Sequence, residues 1–172
     1  AKTKKPLYAD VTSTLLKNNT KALVGHSDSA TGAYQVILPA GELYDFFASK
    51  EGYYANSQSL DLTRTTEYLE LVKDIYLQPV DSPGTVHLNN IYFKDCSDTL
   101  LKESEAELSR LSAYMKNHPE YDADLDLIID KGGECPEVDK LKDKRAEAIK
   151  KWLVKSGVEE KRLKHKKHHE NP

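Results

Sequence analysis

Four stretches decide the fold of this 172-residue chain: residues 86–93 (VHLNNIYF), 99–117 (TLLKESEAELSRLSAYMKN), 123–130 (ADLDLIID) and 136–156 (PEVDKLKDKRAEAIKKWLVKS). The first and third are apolar runs of strand length, and the third carries Leu125, Leu127 and Ile129 at every second position. In the second, Leu101, Ala106, Leu108, Leu111 and Met115 fall near i, i+3, i+4 spacing, the mark of a helix with one buried face. That helix should stop at His118-Pro119, and Asp98 is placed to cap its start. The fourth stretch opens on Pro136 and stops at Gly157, again as a helix does. The order strand, helix, strand, helix predicts a parallel βαβ unit with a right-handed crossover.

Upstream, turn chemistry recurs about every 8 to 12 residues: Asn18-Asn19, Asp28-Ser29-Ala30-Thr31-Gly32, Pro39-Ala40-Gly41 and Lys50-Glu51-Gly52. Short strands are expected between them at 7–16, 21–27, 34–38, 42–49 and 57–62. The last strand, 68–77, alternates Leu69, Leu71, Lys73, Ile75 and Leu77 with Tyr68, Glu70, Val72, Asp74 and Tyr76. This is the pattern of a small β-sandwich. Pro79-Val80-Asp81-Ser82-Pro83, followed by Gly84, is rigid and turn-prone. The expected organisation is therefore α+β in two domains, a sandwich over 1–80 and an α/β domain over 86–172, joined by a linker at 81–85.

Composition narrows the function. Apolar residues are 38% and charged residues 31%, with a formal net charge of −3. No run approaches the roughly 18 apolar residues of a membrane span, so no transmembrane segment is expected. Residues 81–160 are acidic and only the tail from residue 161 is basic, which argues against nucleic acid as a partner. No GxSxG, GxGxxG, Walker or HExxH string occurs, so the protein is read as noncatalytic, without a cofactor. His165, His168 and His169 have spacing suited to a metal on one helical face, but the interleaved Lys164, Lys166 and Lys167 oppose a divalent ion, and no metal is expected. Tyr34, Tyr44, Phe46, Phe47, Tyr53 and Tyr54 are taken as sandwich core rather than as a recognition surface. Two cysteines, Cys96 and Cys135, are too few for a disulfide scaffold and lack CxxC spacing.

Leu88-Asn89-Asn90-Ile91-Tyr92-Phe93, then LLKESEAELSRL at 100–111, then Arg145-Ala146 opening a helix that ends in Gly157, resemble the OmpA-like C-terminal family of peptidoglycan-associating domains. Thr31-Gly32-Ala33-Tyr34, Leu38-Pro39-Ala40-Gly41 and Lys50-Glu51-Gly52-Tyr53 resemble the carboxypeptidase regulatory-like β-sandwich often placed before it. The resemblance implies a βαβαβ second domain, here expected to lack the family's last helix and strand. It implies a periplasmic, outer-membrane-associated protein that binds peptidoglycan and tethers the outer membrane or an envelope complex to the cell wall, with other envelope proteins as further partners.

The family grips diaminopimelate with an aspartate and an arginine fifteen residues later, and the matching positions are Asp130 and Arg145. A carboxylate and a guanidinium fork answer the two charges of one zwitterion. Asp130 beside Lys131 also reads as a plain turn residue, and Arg145 among Asp139, Lys140, Lys142, Asp143 and Lys144 as part of a solvated face. Where the family has Gly-His-Thr this chain has Leu127, Ile128 and Ile129, which fits an alternative: a protein-docking module of an envelope, secretion or motility assembly that no longer binds peptidoglycan. Strand ends of a parallel βαβ unit emerge on one edge, so Cys96 and Cys135 are expected in one loop cluster. Export, as the resemblance implies, would permit a disulfide between them, and two separate thiols are the alternative.

Overall fold

The computed structural model describes residues 5–80, 86–128 and 135–165, and the expected linker at 81–85 lies outside them. The chain is mixed α and β and divides into two compact units, residues 1–90 and 91–172. The boundary falls five residues beyond the expected linker because Asn89 and Asn90 belong to the first unit. Asn90, fully buried, donates from Nδ2 to Asp45 Oδ1 at 2.5 Å, and Asn89 Nδ2 donates to Ser57 O at 2.6 Å.

The first unit is built on an antiparallel sheet of order β2-β1-β3-β5, comprising β1 (Asp10–Leu15), β2 (Thr20–His26), β3 (Leu43–Ser49) and β5 (Asn56–Asp61). Two short strands, β4 (Tyr53–Tyr54) and β6 (Gln78–Pro79), pair separately. Alternation along β3 sends Tyr44 and Phe46 into a core with Val11 and Leu62. Its opposite face buries Asp45 beside Thr14 and Ser57. Where Gly32 adopts φ +72°, only a residue tolerant of left-handed backbone closes the turn that Asp28 organises.

The second layer of the expected sandwich differs from a sheet. Residues 33–38 and 73–77 lie against the core, contributing Tyr34, Val36, Leu38 and Ile75, but form no ladder. Side chains hold them instead: Tyr34 Oη donates to Lys73 O, Lys73 Nζ to Ser59 O, Gln58 Nε2 to Asp74 O and Asn56 Nδ2 to Tyr76 O. The expected strand 68–77 is therefore not a strand. Tyr68 and Val72 stand in solvent, so its alternation reports burial only from residue 73 onward.

The second unit carries α1 (Glu105–Asn117), β7 (Ala123–Leu125), α2 (Val138–Lys155) and β8 (Leu163–His165). Its βαβ unit exists, but between other strands than expected: β7 pairs in parallel with β8, and α2 is the crossover. Residues 86–93 form no strand. Only Phe93 bridges to Leu100, while the Tyr92 N–H donates to the Ser104 hydroxyl and its C=O accepts from that hydroxyl and from the Leu101 N–H. That same bridge delays the first helix from residue 99 to Glu105, after a 3-10 turn at Lys102–Ser104, and Asp98 is too far upstream to cap it. Leu108, Met115, Ile149, Leu153, Val158 and Leu163 make the core.

Arg162 ties this core's open end. It is 8% exposed, and its guanidinium donates to the carbonyls of Met115 (2.8 Å), His118 (2.7 Å) and Tyr121 (Nε, 3.0 Å). These include a carbonyl of the last turn of α1, which no intrahelical N–H can reach. Among the described residues no helix is long and apolar enough to cross a membrane.

Candidate functional site

Cys96 and Cys135 are joined, with a Cα separation of 5.3 Å, so the loop after Phe93 is pinned to the segment that leads into α2. The loop is a tight turn: Ser97 N donates to Lys94 O and Lys94 N to Thr99 O, while Cys96 sits at φ 47°. The bridge thus holds a residue in backbone that side chains seldom adopt.

Arg145, two turns into α2, reaches this loop. Its Nε donates to Ser97 O at 2.8 Å, its Nη2 approaches Lys94 O at 3.5 Å, and its guanidinium carbon lies 4.7 Å from the centre of the Phe93 ring. The side chain is half-buried, and desolvation lowers its pKa from the ordinary arginine value, an effect that the carboxylates of Asp95 and Asp98 oppose. Stacking on an aromatic face and one good bond fix the plane of the fork, leaving Nη1 without a partner among the described residues. The result is an oriented cation with two nearby anions on a disulfide-pinned turn. Such a site can offer two N–H donors to a carboxylate and a negative field to an ammonium beside it.

Of the residues singled out in the sequence, the structure brings Arg145, Cys96 and Cys135 together. Asp130 lies outside the described residues. Leu127 packs against the core and Ile128 is 82% exposed, while Ile129 also lies outside. His165 ends β8, His168 and His169 lie outside, and among the described residues no group of three His, Cys, Asp or Glu could hold a metal. Phe93 and the Ser97 carbonyl were not legible as parts of a site. Phe93 reads as an ordinary strand residue, and a backbone carbonyl leaves no mark in a sequence. The chain matches no family model, no curated protein and no solved structure.

Proposed function

We propose that the second unit is an OmpA-like domain that binds the diaminopimelate of peptidoglycan, and that the first is a carboxypeptidase regulatory-like module serving as spacer or docking element. The observation that carries the reading is the Arg145 cradle: a half-buried guanidinium, stacked on Phe93 and steered by Ser97 O, flanked by Asp95 and Asp98. Arg145 takes the ligand's free carboxylate, and Asp130 takes its ammonium, with Asp95 and Asp98 adding field of the same sign. Binding of this kind is noncatalytic and would tether the outer membrane or an envelope complex to the wall. The Cys96–Cys135 bridge supports a periplasmic location, since disulfides persist in oxidising compartments.

Calorimetry with a diaminopimelate-containing stem peptide tests the proposal, with a lysine-containing peptide as control because it lacks the second carboxylate. The wild type should bind the first and discriminate against the second. Absence of wild-type binding would leave the docking-module reading, which the exposure of Ile128 favours.

A further inference from the structure

The bridge between Cys96 and Cys135 fixes the Arg145 cradle from outside the hydrophobic core. That core is Leu108, Met115, Ile149, Leu153, Val158 and Leu163, and neither cysteine belongs to it. Cys96 is exposed, on a turn whose two ends, Phe93 and Leu100, bridge to each other and pack against the core on their own account. The disulfide therefore acts on the turn at 94–99 and on the approach to α2, not on the packing beneath them.

The backbone is unfavourable at both ends of this constraint. Among the described residues three other than glycine sit at positive φ: Asn19, Cys96 and Glu137. Asparagine tolerates that region, whereas cysteine and glutamate seldom enter it. Cys96 is one end of the bridge, at φ 47°. Glu137, at φ 53°, stands two residues beyond the other end and starts α2 without giving the helix a side-chain cap. What the arrangement holds in place is a pair of carbonyls. Ser97 O, one residue past the bridge, accepts from Arg145 Nε at 2.8 Å, and Lys94 O faces Arg145 Nη2 at 3.5 Å.

We propose that the Cys96–Cys135 disulfide is a redox switch for the Arg145 cradle: oxidised, it holds the cradle in its binding geometry, and reduced by a dithiol, it releases the turn and weakens binding. One thiolate of the dithiol attacks the Cys96 sulfur, the S–S bond breaks, and Cys135 leaves as a thiolate that takes up a proton. The second thiolate of the dithiol then displaces Cys96 from the mixed disulfide, so two electrons and two protons pass to the protein and the reductant departs as a disulfide. Exposed bridges are the ones that such exchange reaches. Cys96 and Glu137 then relax out of left-handed backbone, and Ser97 O moves off Arg145 Nε. The fork, still beside Phe93 but no longer steered, loses its preorganisation for a carboxylate. In naming the ligand whose binding is switched, the inference rests on the function proposed above, while the release of the turn stands on the geometry.

Fluorescence anisotropy of a labelled diaminopimelate stem peptide, titrated with the intact protein before and after reduction by dithiothreitol, tests the switch. Mass spectrometry should show one hydrogen gained at each sulfur. Affinity should fall roughly threefold to tenfold, the worth of one oriented hydrogen bond, and reoxidation should restore it. Cys96→Ser with Cys135→Ser should bind at the weak level with or without dithiothreitol. Two readings need no ligand. The NMR resonance of the Arg145 Nε–H, bonded to Ser97 O, should shift and exchange faster with water on reduction. Emission from Trp152, the only tryptophan and packed against the core, should stay that of the folded unit. The proposal is overturned by an Arg145 resonance that does not answer reduction, or by a bridge that dithiothreitol leaves intact in the folded protein. Loss of the folded Trp152 emission on reduction also overturns it, since the bridge is then a staple of the whole unit. Peptide binding that survives reduction unchanged condemns the switch and spares the proposed function. An oxidised wild type that binds no stem peptide while its Arg145 resonance still answers reduction condemns that function and leaves the switch in the turn.

Discussion

Arg162 and Arg145 hold two regions of the same unit in opposite ways. Arg162 is buried and spends every nitrogen of its fork on carbonyls of Met115, His118 and Tyr121. Arg145 is half-buried, makes one good bond to Ser97 O, and rests on Phe93 with Nη1 free among the described residues. A cation fully matched by protein acceptors stabilises the fold and has nothing left for a ligand. One that is oriented but under-used can do recognition. The contrast extends to what surrounds each: carbonyls at the Arg162 end, but a disulfide and two aspartates at the Arg145 end.

The largest expected effect comes from the bridge that supports only one of these regions. Cys96→Ser with Cys135→Ser opens a loop whose ends are 39 residues apart, which in the chain-entropy account removes about 4 kcal/mol. Urea unfolding should show the loss. Hydrogen exchange should quicken at 94–99 while 115–121 keeps its protection, and equal loosening of both regions would dissolve the contrast.

Arg162→Ala follows, at about 3 kcal/mol, because buried carbonyls lose a charged donor and a cavity opens where the guanidinium lay. Its signature is a lower midpoint in denaturant with unchanged peptide affinity per folded molecule. Arg145→Ala inverts that signature: stem-peptide binding should fall by about 1 to 3 kcal/mol, roughly 5- to 150-fold, while stability drops by less than about 1 kcal/mol. If Arg145→Ala proved the more destabilising of the two, the cradle would be a structural clamp and the proposed site would fail.

How far the sequence reaches is itself uneven across these regions. Core strands β1 to β3 were legible from the turns that bracket them, Asn18-Asn19, Pro39-Ala40-Gly41 and Lys50-Glu51-Gly52, and both helices from the apolar face each buries, as Leu108 and Met115 do in α1 and Ile149 and Leu153 in α2. Residues 68–77 carry a period-2 pattern, yet their backbone is met by the side chains of Asn56 and Gln58 rather than by a ladder, and periodicity records burial without pairing. At 86–93 the two asparagines inside an apolar run were the available signal, since Asn90 turns inward to meet Asp45. Strand β8, three residues long, is too short for any period, and the arginine beside it fixes its position through carbonyls that sequence does not display. For the site, a charge pattern identifies Arg145, but Ser97 O and the Phe93 ring reach it only through the fold.

The smallest effect tests the Arg162 end by pH. Glu120 is exposed, and its carboxyl pKa is lowered from 4.5 chiefly by a bond from its own backbone N–H, then by the His118 ring at 3.1 Å, with His118 and Arg162 adding favourable charge. A folded-state pKa below the unfolded one means that the carboxylate stabilises above about 4.5, and that this contribution fades as pH falls through the lower, folded value. Stability should therefore rise gently with pH in that acidic window. Glu120→Gln should flatten the Glu120 share of the rise and leave stem-peptide binding untouched, because Glu120 lies at the Arg162 end rather than in the cradle. An NMR titration of the Glu120 carboxyl should place its midpoint below 4.5. A midpoint at or above that value would show that the array around Arg162 does not extend to its exposed rim, and would confine the fully matched region to the three carbonyls.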